Sequence, residues 1–218
     1  MPDLDGPRWG PQEKGAPRQL VVLCHGVGAD GRDLIDLAPR WAAALPHAAF
    51  VSPDAPQRYD MAPMGRQWFS ITDRTPANMA AGVAAAAAAL DRFIDAELAR
   101  LDLPDDAYAL MGFSQGAMTV LYTGLRRKVA PRAVLAFSGA LLAPERLAEA
   151  TARPPILLVH GEADPTVPVE RSRLAEAELR KAGFDVETLY VPRLEHGIDP
   201  SGLAFGGLFL QRAFANAG

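Results

Sequence analysis

The sequence predicts an α/β fold, a mostly parallel central sheet with helices on both faces. Three observations carry this. Short, mostly apolar runs recur at Leu20 to Cys24, Ala48 to Ser52, Tyr108 to Met111, Ala133 to Phe137, Ile156 to Val159 and Val186 to Val191. Runs of this kind, without polar alternation, mark strands covered on both faces. Between most of them lie stretches long enough for a helix, among them Leu34 to Leu45, Pro76 to Leu101, Met118 to Val129 and Val169 to Lys181. Lastly, 49% of the 218 residues are hydrophobic, enough for one sizeable core. No repeat, linker or composition break divides the chain, so residues 1–218 are expected to form a single domain.

Ahead of the first buried strand, Pro7 to Gln19 with its Lys14-Gly15 turn reads as an added antiparallel edge strand. The alanine run Ala84 to Ala89 belongs to the long scaffold helix Pro76 to Leu101. There Thr75 takes the N-cap, and Pro76 occupies the first helical position, where a missing N–H costs nothing. Val83, Leu90, Phe93, Ile94, Leu98 and Leu101 give that helix one apolar face, and Leu103-Pro104-Asp105 stops it. The largest basic cluster, Arg126-Arg127-Lys128, stands at the end of the next helix, where cations complement the helix dipole.

Composition excludes several classes of function. A net charge of −4 and no larger basic patch leave no electrostatic footprint for nucleic acid. No apolar run approaches the roughly 18 to 20 residues that span a bilayer. The start, Met1-Pro2-Asp3-Leu4-Asp5-Gly6, has neither the basic nor the apolar region of a secretory signal, so a soluble cytoplasmic protein is expected. Cys24 is the single cysteine, which rules out an internal disulfide and a cysteine-rich metal site. Neither metal nor cofactor is expected.

The most informative segment runs from Ala109 to Met118. An apolar strand passes through Gly112-Phe113-Ser114-Gln115-Gly116 into a helical pattern of Met118, Leu121, Tyr122 and Leu125. With this glycine and serine content, random placement yields about 0.05 such Gly-x-Ser-x-Gly matches. A serine hydroxyl is a weak nucleophile that needs exposure and a neighbouring base. A sharp strand-to-helix turn supplies the exposure, and side chains at Gly112 and Gly116 would collide as the backbone doubles back.

On this architecture an acid and then a histidine follow the serine, each just beyond a strand. His25 and His47 precede Ser114, and His160 ends a strand ahead of the acid. Only His196, in the loop after Val186 to Val191, fits the base. Asp164, in His160-Gly161-Glu162-Ala163-Asp164, is the best acid. Asp185 enters a strand and belongs at the opposite end of the sheet, Glu195 is expected to face solvent, and Glu162 is a spare. For the developing oxyanion, the Gln115 N–H at the helix start is one donor. The Val27 N–H, in Cys24-His25-Gly26-Val27-Gly28, is the other, with His25 bracing the loop.

The same loop spells Gly26-Val27-Gly28-Ala29-Asp30-Gly31, a literal G-x-G-x-x-G, with Asp54 beyond the next strand. A dinucleotide-binding oxidoreductase using Gly26, Gly28 and Gly31 is therefore a second class of function. It fails because His25 crowds the pyrophosphate position and because the Ser114, Asp164, His196 order stays unexplained.

Taken together, these segments resemble the phospholipase/carboxylesterase family of α/β-hydrolases. The resemblance spans about Pro7 to Phe214 and also rests on Ser52-Pro53-Asp54-Ala55-Pro56, Gly65-Arg66-Gln67-Trp68-Phe69, Val167-Pro168 and His196-Gly197. It implies an α/β-hydrolase without a separate lid domain, and a Ser114, Asp164, His196 triad with Val27 and Gln115 as oxyanion donors. It also implies hydrolysis of short to medium acyl esters, with thioesters and lysophospholipids as alternative substrates, no metal and often a homodimer. Ser70 stands where family members commonly carry Asp, so no acyl-protein specialisation is carried over. In the loop Tyr59 to Phe69, Met61, Met64, Trp68 and Phe69 are expected to line an acyl groove. A catalytically inactive binding protein of the same fold is the remaining alternative.

Overall fold

The computed structural model describes residues 4–215, so Met1 to Asp3 of the start considered above lie outside the described residues. In chain order the elements are β1 (Arg8–Trp9), β2 (Gln19–Cys24), α1 (Arg32–Ile35), α2 (Ala38–Trp41), β3 (Ala48–Val51), β4 (Gln57–Arg58) and β5 (Arg66–Gln67). There follow α3 (Pro76–Arg100), β6 (Tyr108–Phe113), α4 (Gln115–Gly124), β7 (Val134–Phe137), β8 (Ile156–Gly161), α5 (Glu170–Lys181), β9 (Val186–Val191) and α6 (Pro200–Ala215).

The main sheet has the order β1-β3-β2-β6-β7-β8-β9. All its neighbours are parallel except the edge strand β1, which runs antiparallel to β3. Because side chains alternate across a strand, each strand feeds two cores. Leu20, Val22, Cys24 and Leu110 face α3, α4 and α5, whereas Val21, Leu23, Ala109 and Met111 face α1, α2 and α6. This double burial is why the inner strands are largely apolar, whereas the edge strand β9 carries Glu187 and Thr188. Among the described residues, no helix is long and apolar enough to cross a membrane.

Some elements differ from the sequence expectation. The helix expected over Leu34 to Leu45 is two short helices, α1 and α2. Pro39, in the first turn of α2, has no N–H to carry the helical ladder across the junction. Thr75 does stand at the N-cap of α3, but its side chain makes no capping hydrogen bond. The closing helix α6 has no counterpart in the sequence reading, since its three glycines dilute the helical signal. Their role is proximity: a Cβ on Gly207 would lie 3.0 Å from the Trp41 ring, and the Trp41 indole donates to Leu203 O at 2.8 Å.

The basic trio also acts differently from the dipole reading. Arg126 does donate to a helix carbonyl, Tyr122 O, at 3.3 Å. Arg127, however, lies buried beyond the end of α4 and pairs with Asp91 at 2.6 Å and Asp95 at 2.7 Å, both on α3. Its Nε donates to the Tyr108 hydroxyl at 2.9 Å, tying β6 to the same clamp. Arg127→Ala should lower unfolding stability by about 2 kcal/mol, through lost charge-assisted hydrogen bonds and packing, because the half-exposed acids rehydrate. Urea denaturation of the variant beside the parent checks this.

Candidate active site

Ser114 joins β6 to α4 with φ 55° and ψ −117°, a region L-residues avoid. Strain of this kind costs about 1–3 kcal/mol and persists only where the surroundings enforce it. Here they do. A Cβ on Gly112 would sit 2.4 Å from the Gly116 carbonyl, and a Cβ on Gly116 would sit 1.9 Å from Cys24 O. Helix α4 therefore starts directly against the end of β2, with no side chain between. The Ser114 N–H donates to Phe137 O at 2.9 Å, fixing the turn to β7.

His196 comes from the loop after β9 and lies between the serine and the acid. Its Nε2 is 3.0 Å from Ser114 Oγ, and its Nδ1 is 2.6 Å from Asp164 Oδ2. The carboxylate accepts, so Nδ1 carries the proton and Nε2 is free to accept from the hydroxyl. Phe113 packs against the imidazole with ring centroids 4.8 Å apart. The histidine loop rests on Gly161, where a Cβ would lie 2.2 Å from Leu194 O, and Ala163 N–H donates to that same carbonyl.

Asp164 follows β8 and is buried. Its Oδ1 accepts from the Thr166 and Val167 N–H groups at 2.8 and 2.9 Å. Burial alone would raise its pKa, but the His196 contact and the two backbone donors outweigh that and hold the carboxyl below its ordinary value. His160, which the sequence placed only as a strand-end histidine, supports this acid. Its Nε2 lies 3.2 Å from Asp164 Oδ2 and donates to Val167 O at 2.8 Å, while Nδ1 accepts from Ser172 Oγ at 2.6 Å. Burial lowers the His160 pKa and favours that neutral form. Its position four residues before Asp164 was the only sequence signal. Asp185 leads into β9 at the far end, and Glu195 is exposed.

Val27 and Gln115 both lie at the serine, around one cavity. As the first residue of α4, Gln115 has no intrahelical partner for its N–H. Among the described residues neither N–H meets a protein acceptor. His25 is buried under this loop. Ala55 N–H donates to its Nε2 at 3.0 Å, so Nδ1 holds the proton and donates to Gly26 O at 2.7 Å. Burial also lowers the His25 pKa. The G-x-G-x-x-G reading fails because Tyr59 covers Gly28 and the helix that follows has only four residues.

Comparison with known proteins follows the same line. Residues 11–213 match the model of the phospholipase/carboxylesterase family. This chain belongs to that family. It is an esterase-type α/β-hydrolase, 32% identical over 189 residues to the esterase YpfH of Escherichia coli strain K12, covering 86% of this chain and 80% of that protein. Over 194 residues it is 27% identical to acyl-protein thioesterase 1 of Neurospora crassa, covering 81% and 79%. The crystal structure of esterase PE8 superposes with a TM-score of 0.91 at 40% identity, covering 97% of this chain and 99% of that one.

The four residues of the loop Tyr59 to Phe69 expected to line an acyl groove do not border the cavity at Ser114. Met61 and Met64 are 64% and 81% exposed at the β4–β5 tip, and Trp68 and Phe69 are buried in the core; none of the four lines the cavity at Ser114. That cavity, about 670 Å³, is walled by Ile71, Met79, Met118, Leu141 and Leu142. Ile71, Leu141 and Leu142 stand in the irregular segments after Phe69 and after β7, whereas Met79 and Met118 come from α3 and α4, so which of these side chains share one cavity depends on how distant segments pack.

A carboxyl with a depressed pKa stabilises the fold fully above its unfolded value, near 3.8, and loses that contribution as pH falls through the folded value. Asp164→Asn should therefore flatten part of the loss of melting temperature between about pH 5 and pH 3. Thermal melts of both proteins across that range provide the measurement.

Proposed function

We propose that this chain hydrolyses carboxylic esters of short to medium acyl chains, with Ser114 as nucleophile, His196 as base and Asp164 as its orienting acid. One observation carries the reading: a single imidazole meets both the serine hydroxyl and the carboxylate at hydrogen-bond distance. In the first step Ser114 Oγ attacks the acyl carbonyl while His196 Nε2 takes its proton. The carbonyl oxygen becomes an oxyanion facing the Val27 and Gln115 N–H groups. Collapse breaks the ester bond, and His196 returns the proton to the departing alcohol. Water then gives a proton to the same Nε2 and attacks the acyl-enzyme, releasing the acid and restoring Ser114. Throughout, the ionised Asp164 stabilises the imidazolium. Thioesters pass through the same two steps with a thiol leaving group.

The apolar side of the cavity, formed by Ile71, Met79, Met118, Leu141 and Leu142, supports an aliphatic acyl chain through methylene contacts, while Arg74, Glu145, Arg171 and Glu178 also border the cavity. Each buried methylene is worth about 0.8 kcal/mol, so kcat/KM on p-nitrophenyl esters should rise from acetyl to mid-length chains. A flat series, or one that falls from acetyl onward, overturns the acyl assignment.

Ser114→Ala should fold like the parent yet lose at least about 1000-fold in ester turnover. A fluorophosphonate should label the parent at Ser114 and leave the variant unlabelled. Undiminished hydrolysis by the variant refutes the nucleophile, and an unlabelled parent without turnover favours the inactive-scaffold reading.

A further inference from the structure

The Gln115 side chain is buried and its amide is fully engaged, yet none of its contacts lies within α4. Its Oε1 accepts from Trp68 N–H at 2.8 Å, and its Nε2 donates to Phe69 O at 2.7 Å. It thus grips one peptide segment from both sides, as a neighbouring strand would. Trp68, fully buried, turns its indole toward β2 and donates from Nε1 to His25 O at 2.9 Å. The same carbonyl lies 2.6 Å from where a Gly116 Cβ would be, so it is held between the indole and the start of α4. His25 in turn anchors Gly26 O. In a planar peptide the Gly26 carbonyl and the Val27 N–H point in opposite directions, so holding one aims the other.

We propose that the Gln115 side chain and Trp68 form a positioning strut that sets the spacing of the two oxyanion donors. The strut links the helix carrying the Gln115 N–H to the loop carrying the Val27 N–H, through Trp68 and the His25 carbonyl. This rests on the acyl-transfer reading of the site. A local brace would hold either donor alone; this one spans both, and its amide and indole contacts are all to protein groups. Electrostatic stabilisation of an oxyanion falls steeply when a donor moves, because the donors must meet the oxygen where charge develops and not at the ground-state carbonyl. The strut should therefore act on kcat with little effect on KM. It also explains why Trp68 and Phe69 are buried: the loop that contains them is part of the support beneath the site.

Two variants test it. Trp68→Phe removes the indole N–H and keeps an aromatic ring, whereas Gln115→Met removes both amide contacts at similar volume and leaves the backbone donor in place. Each is assayed with p-nitrophenyl butyrate and with butylboronic acid, whose tetrahedral adduct with Ser114 places an oxygen at the oxyanion position. The expected result is a loss of about 10-fold or more in kcat, an equal loss in boronate affinity, and KM within about twofold of the parent. The double variant should be hardly worse than the worse single, because both break one strut. Circular dichroism and melting temperature show which variants are folded, and either folded variant suffices. Parent-like kcat and boronate affinity in a folded variant overturn the proposal, as do a change confined to KM and full additivity in the double variant. Failure of the underlying reading looks different: the parent itself would then be inactive and insensitive to the boronate.

Discussion

The close approach of α4 to the end of β2 is the constraint on which the site depends. Gly116 lies against the carbonyls of Cys24 and His25 with no room for a side chain, and Gly112 is packed equally tightly against Gly116. This contact forces the chain through a positive φ at Ser114 and lifts the hydroxyl clear of the sheet. It also brings the unpaired N–H groups at the start of α4 beside the loop that follows β2. One backbone contact thus determines the exposure of the Ser114 hydroxyl and the placement of these N–H groups together. The strain is tolerable because β6 is hydrogen-bonded on both sides, to β2 and β7, and buried against two layers of helices.

Parallel topology does the rest. All strand ends that carry chemistry point the same way, so loops after β2, β6, β8 and β9 meet at one rim although they are far apart in sequence. Asp164 and His196 leave neighbouring strands and therefore meet without any long-range loop ordering. The charges are arranged by the same geometry. Asp164 receives two backbone N–H bonds on one oxygen and the imidazole on the other, so it stays ionised despite burial. Two further histidines, His25 and His160, are held neutral and serve as hydrogen-bond struts. The fold places three imidazoles near the site, and only His196 reaches the serine.

The cavity is built on a different principle. Its aliphatic wall combines Ile71, Leu141 and Leu142 from irregular segments after Phe69 and after β7 with Met79 of α3 and Met118 of α4. Such segments are positioned by what packs beneath them. Trp68 and Phe69 supply that underlayer, and Gln115 connects it to the nucleophile turn. Wall and turn are therefore joined through short, buried contacts.

Much of this was legible in the sequence because it is local. Apolar runs report two-sided burial, as in β6, where Tyr108 to Met111 are all buried. Glycines at two-residue distance from Ser114 report a tight turn, and chain order singled out Asp164 and His196 from their competitors. Tertiary structure alone decided the rest. A methionine at 61 or 64 and an aromatic at 68 or 69 have the same hydrophobicity whether they wall a groove, fill the core or face water. Arg127 reads as a helix-end cation until Asp91 and Asp95 of α3 come alongside, and the glycines of α6 read as interruptions until Trp41 occupies the space they leave. Hydrophobic period and turn chemistry are properties of neighbouring residues. Exposure, charge pairing and groove lining depend on which distant surfaces press together.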